Sequence, residues 1–88
     1  MSDPAGDTAM MSNRDRLVYM ANQIARNLAV MGEAQAAAAT AEHLTAFWDP
    51  RMKRQIVAVL QDEPEALSSI ARQAIAALGD EMGRTTGA

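Results

Sequence analysis

Apolar residues recur along this chain at intervals of three and four, and nowhere does the pattern alternate with the period of two that a half-buried strand needs. Leu17, Met20, Ala21, Ile24, Leu28 and Met31 share one face of a first predicted helix. It begins after Ser12, an N-cap residue with Asp15 three positions on, close to a capping-box pattern. Gly32 is its natural stop. A second helix is predicted over residues 33–47, with Ala34, Ala37, Ala41 and Leu44 inward and Trp48 at its end. Its alanines suit close packing in a short-loop antiparallel hairpin with the first helix. Asp49-Pro50 opens a third helix, since Asp caps and Pro fits the first turn. Met52, Ile56, Val59 and Leu60 form its apolar face. A break at 61–63 leads to a fourth helix, opened by Pro64, lined by Leu67, Ile70, Ala71, Ala74 and Leu78, and ended by Gly79.

The fold class is therefore all-α, a small bundle of about four helices over residues 14–78. Residues 1–13 and 79–88 are rich in Gly, Pro, Asp, Ser or Thr without a hydrophobic period, which predicts a disordered N-terminal tail and a flexible C-terminal one. Composition then changes the energetic picture. Of the hydrophobic 49%, 19 residues are alanine, which favours helix but contributes little burial. A core this thin, with no cysteine to staple it, supports a net stability of only about 3–5 kcal/mol and favours a partner surface.

Charge narrows the partner. The net charge is −3, yet residues 14–78 are balanced at seven basic against seven acidic, so the excess lies in the tails. That balance argues against nucleic acid, whose phosphates demand a basic surface. No apolar run exceeds five residues, far short of a membrane span, and no basic-then-apolar leader opens the sequence. A soluble cytoplasmic chain is expected.

Catalytic chemistry has little to stand on. There is no Gly-rich phosphate loop, no clustered metal-ligand spacing and no nucleophile–base pair. The absence of cysteine removes iron–sulfur ligation and thiol nucleophiles from this chain, so no catalytic, metal or cofactor residue is assigned. His43, the sole histidine, reads as a solvated or boundary residue. Asp62, Glu63 and Glu65 bracket Pro64 and read as negative charge at a helix start rather than a catalytic pair.

Two segments instead suggest protein contacts. Phe47 and Trp48, the only Phe and the only Trp, stand just before Arg51, Lys53 and Arg54, and aromatics and arginine are enriched at interface centres. On the first helix Tyr19, Gln23, Arg26 and Val30 lie opposite the core stripe, a mixed outer face that fits a helix held between two surfaces. The candidate partner-binding set is Tyr19, Gln23, Arg26, Val30, Phe47, Trp48, Arg51 and Arg54.

The stretch Leu17-Val18-Tyr19-Met20-Ala21-Asn22-Gln23-Ile24-Ala25 resembles the opening of the delta subunits of soluble NAD-dependent formate dehydrogenases. His43-Leu44-Thr45-Ala46-Phe47-Trp48-Asp49-Pro50-Arg51-Met52 is similar to their FWDPRM signature, and the Ala-rich end of the last helix to their closing segment. The similarity runs in order through residues 15–78, with a longer N-terminal tail and a more Ala-rich second helix as departures. What it implies is a non-catalytic accessory subunit of a cytoplasmic complex that oxidises formate to carbon dioxide and reduces NAD. It further implies an alpha subunit holding a molybdenum or tungsten bis-pterin guanine dinucleotide centre and iron–sulfur clusters, with FMN and further clusters in beta and gamma. The delta chain would dock on the alpha subunit and stabilise it. The alternative is a maturation factor that binds the apo-enzyme transiently while the molybdenum cofactor is inserted. A third class, a helical DNA-binding regulator, would need a basic recognition helix, which only the short third helix approaches.

Overall fold

A computed structural model describes residues 12–87, which form four α-helices and two short 3₁₀ turns, with no strand among them. Helix α1 spans Asn13–Leu28, α2 Glu33–Phe47, α3 Pro50–Asp62 and α4 Ser69–Gly87. The all-helical expectation holds. The expected N-terminal tail falls, for residues 1–11, outside the described residues.

Local chemistry sets most of the helix starts. Ser12 Oγ accepts from the Asp15 amide at 3.0 Å, and Asp49 Oδ1 accepts from the Met52 amide at 2.8 Å, each satisfying one of the orphan donors of a first turn. Between α1 and α2 the chain tightens into a 3₁₀ turn, Ala29–Met31, and then reverses at Gly32, whose φ of 98° lies where side chains are strained. Met31, expected in the core, is exposed because this turn leaves the α-helical register.

Packing corrects other expectations. On α2 the buried face is Ala36, Ala37, Thr40 and Leu44, whereas Ala34 is exposed and Ala41 only half-buried. Alanine is so frequent here that periodicity alone cannot choose the face. The fourth helix does not open at Pro64: that proline begins a 3₁₀ turn, Pro64–Ala66, Leu67 is extended and buried, and α4 starts at Ser69. Ser68 supplies its cap, accepting from the Ala71 amide at 3.2 Å. Nor does the helix stop at Gly79, since α4 continues to Gly87. Gly79 lies beside Val57 of α3, where an added Cβ would meet Val57 Cγ1 at 3.5 Å, and Met82 beyond it packs on the core. Burial against α3 outweighs the modest helix cost of glycine.

The broadest interface is between α2 and α4. They run side by side in one direction: Glu33 accepts from Ser69 Oγ at 2.8 Å and from the Gln73 amide near their starts, while Thr45 lies near Leu78 and Glu81 towards their ends. Helix α3 runs against α4, with Val57 near Gly79 and Leu60 near Ile75. Helix α1 lies across the others, fastened by Asn13 to Gln55 at 3.2 Å and by an Arg14–Glu63 ion pair at 3.0 Å. Glu63, expected as a helix-start charge, thus serves as that ion-pair partner. The core joins Leu17, Ala21 and Ala25 of α1 to Leu44, Ile56, Val59 and Ile75, and is closed by Trp48 and Leu67.

One buried group is out of balance. Thr40 is fully buried on α2 and its Oγ1 has no hydrogen-bond partner among the described residues. Desolvating a hydroxyl without a partner costs about 1–3 kcal/mol, and valine has the same branched shape and similar helix propensity. Thr40→Val is therefore expected to raise the urea midpoint, by the equivalent of about 1 kcal/mol. A lowered midpoint would show that the hydroxyl is satisfied.

Candidate interaction surfaces

The sequence-predicted contact residues do not converge on one site: Gln23 and Arg26 border one surface groove, Phe47 a second and Arg54 a third, Tyr19, Val30 and Arg51 line none of these, and Trp48 lies inside the core. The first groove runs between α1 and the turn that precedes α4. Its walls include Asn22, Gln23 and Arg26 on one side and Glu65, Leu67 and Ser68 on the other. Asn22 builds it: the side-chain amide donates to the Ala66 carbonyl at 3.0 Å, while its oxygen accepts from the Ser68 amide at 2.9 Å. One side chain thereby satisfies a donor and an acceptor of a segment that lacks regular pairing. Gln23 is half-buried and Arg26 exposed at this groove, and the described residues place no ion pair on Arg26. Sequence reading missed Asn22 as a contact residue; the signal was a polar side chain flanking the core stripe.

The second groove lies between α1 and α2, bordered by Leu28, Ala39, Glu42, His43, Ala46 and Phe47. His43 and Phe47, one turn apart, stack at 4.8 Å between ring centroids with a tilt of 45°. Phe47 remains 73% exposed, and His43 is exposed as expected. Its neighbour Trp48 does the opposite. Trp48 caps α2 with extended backbone at φ −92° and ψ 138°, which turns the indole inward to 5% exposure. As a partner contact Trp48 is thus corrected: it is a core residue of this chain.

The third groove is a cleft where the end of α2 meets α3 and α4, bordered by Thr45, Pro50, Lys53, Arg54, Leu78, Glu81 and Met82. Arg51 and Arg54 are both exposed, each well round the helix from the buried Ile56, as helical spacing predicts. Lys53, not singled out as a contact on its own, is half-buried at the mouth of the cleft.

Tyr19 on α1 is 58% exposed, as its place opposite the apolar stripe requires, and Val30, in the 3₁₀ turn that follows α1, is 91% exposed, so both stand free of the core. Together with Met31 and Phe47 they are the large apolar side chains the fold leaves in water among its described residues. Single exposed apolar residues are ordinary; four in a chain of this size, with an alanine-rich core, mark surface available for association. No group of three or more His, Cys, Asp or Glu side chains among the described residues could hold a metal ion, and no described helix is long and apolar enough to cross a membrane.

The family model for the NADH-dependent formate dehydrogenase delta subunit, FdsD, matches residues 16–75. That span holds most of α1, all of α2 and α3 and the first part of α4, with all three grooves touching it. No curated protein and no solved structure matches the chain.

Proposed function

The chain belongs to the family of NADH-dependent formate dehydrogenase delta subunits, and from that premise we propose that it is a non-catalytic accessory subunit that docks on the large catalytic subunit and stabilises it. The observation that carries this reading is the outward placement of Tyr19, Val30 and Phe47 on a small bundle in which, among the described residues, six of the fourteen buried hydrophobic residues are alanine. A helix buried on one side and apolar in part on the other fits between two surfaces. Binding to the folded form would in turn raise the marginal stability of the bundle by mass action.

In this reading the redox chemistry belongs to partner subunits: the molybdenum or tungsten centre and iron–sulfur clusters to alpha, FMN and further clusters to beta and gamma. The chain itself offers no cysteine for cluster ligation and no described cluster of ligating side chains. The complex would work in the cytoplasm.

Purification of the complex through a tag on another subunit tests the proposal, with an equimolar delta chain in the active enzyme as the expected result. Recovery only with cofactor-free enzyme would replace it with a transient maturation role. Within the same experiment, Tyr19→Ala combined with Val30→Ser is expected to reduce recovery of the delta chain several-fold while leaving its circular dichroism unchanged, since neither residue packs in the core. Unchanged recovery would show that Tyr19 and Val30 are ordinary solvated surface.

A further inference from the structure

The cleft at the joint of α2, α3 and α4 combines an apolar floor with a cationic rim. Leu78 is almost wholly buried and Met82 half-buried at its base, with Pro50 at one side. Lys53 and Arg54 stand at the rim, and Arg51 lies in the same first turns of α3. None of these three cations is in an ion pair with a carboxylate among the described residues. The acidic neighbours are already engaged: Asp49 is bound to the Met52 amide as the helix cap, and Glu81 pairs with Arg84 at 3.6 Å. Positive charge thus accumulates at one place on a chain whose net charge is −3.

That contrast selects the kind of ligand. A nucleic acid or an anionic membrane presents an extended negative surface and would meet the acidic remainder of the chain along with the cleft. A short polypeptide segment can touch the cleft alone. Its carboxylates would meet the rim, where arginine offers a bidentate fork and lysine a mobile point charge. One apolar side chain would cover Leu78 and Met82 on the floor.

We propose that this cleft receives an acidic segment of the formate dehydrogenase catalytic subunit, two or more carboxylates flanking an apolar residue. The proposal rests on the accessory-subunit reading and adds to it the chemistry of the contact. Phe47 and the outer face of α1 border other grooves, so this contact is separable from theirs by mutation.

The test uses the full-length chain and formate dehydrogenase complex purified without it, with binding followed by calorimetry. The double variant Lys53→Glu/Arg54→Glu is expected to weaken binding tenfold or more, and the wild-type affinity to fall steeply as salt is raised. Arg16→Glu, at an exposed cation on α1 away from the cleft, is expected to bind as wild type. Should the charge-reversed pair lose helical content, Lys53→Gln/Arg54→Gln replaces it, with the same direction of effect. Wild-type binding that the cleft variants leave unchanged, or that Arg16→Glu weakens equally, overturns the cleft while the accessory reading stands. Wild type that binds phosphatidylserine-containing vesicles but not the complex overturns both.

Discussion

Replacing Trp48 with alanine is expected to leave the isolated chain largely unfolded at room temperature, whereas Phe47→Ala, one residue earlier, leaves it folded. The indole is 5% exposed and belongs to the same buried core as Leu44 and Ile56. Truncating such a residue costs about 3–5 kcal/mol, the transfer of the lost atoms plus the cavity left behind. A core this small supplies a net stability of about the same size, so the loss consumes nearly all of it. Phe47 is 73% exposed and its one ring contact is to His43, so its removal costs within about 0.5 kcal/mol. Urea titrations followed by circular dichroism check both variants. Equal destabilisation would mean that the corner between α2 and α3 packs both rings, and the assignment of one inward and one outward would be wrong.

Asn22→Ala carries the second largest effect. Its amide bridges the Ala66 carbonyl and the Ser68 amide, and the residues between them reach α1 by no other hydrogen bond among those found. Alanine leaves the amide of the exposed Ser68 and the carbonyl of the part-buried Ala66 without their partner. Each lost bond costs about 1 kcal/mol, with somewhat more for the part-buried carbonyl, so the sum is about 2 kcal/mol. Asn22→Asp separates the two halves of the clamp, because a carboxylate still accepts from Ser68 but repels the Ala66 carbonyl. Faster hydrogen exchange at the Ser68 amide is the expected local signature of Asn22→Ala, with protection partly restored in Asn22→Asp. Unaltered exchange in both would show that Leu67 alone holds the turn against α1.

The Asn22 clamp also explains why the first groove has its shape. With the turn released, Gln23 and Arg26 would lose the opposite wall formed by Glu65, Leu67 and Ser68. A variant at Asn22 would therefore disturb both stability and any contact made through that groove. The cleft at Lys53 and Arg54 lies between other elements and is expected to keep its shape in the same variant.

What the sequence determined by itself was everything settled within a few residues of the chain. The Ser12 cap, the reversal at Gly32 and the Asp49-Pro50 start of α3 follow from side chains that bond or constrain the backbone beside them, and each is where the sequence puts it. The motifs around Met20 to Ala25 and Phe47 to Met52 likewise carry the family in linear order, which the family model matches over residues 16–75. Tertiary packing decided the rest. Which alanines of α2 face inward depends on how closely α4 approaches, because alanine offers the same small surface on every side. Gly79 ends no helix, since α3 lies beside it and Met82 anchors the chain beyond. Pro64 opens only a 3₁₀ turn because Asn22 holds the following backbone extended against α1. Phe47 and Trp48 are adjacent aromatics that composition cannot tell apart. The extended backbone at Trp48, where α2 gives way to α3, sends one ring into the core and leaves the other in water. The spread of Gln23, Arg26, Phe47 and Arg54 over three grooves has the same origin, for a groove exists only where two distant segments meet.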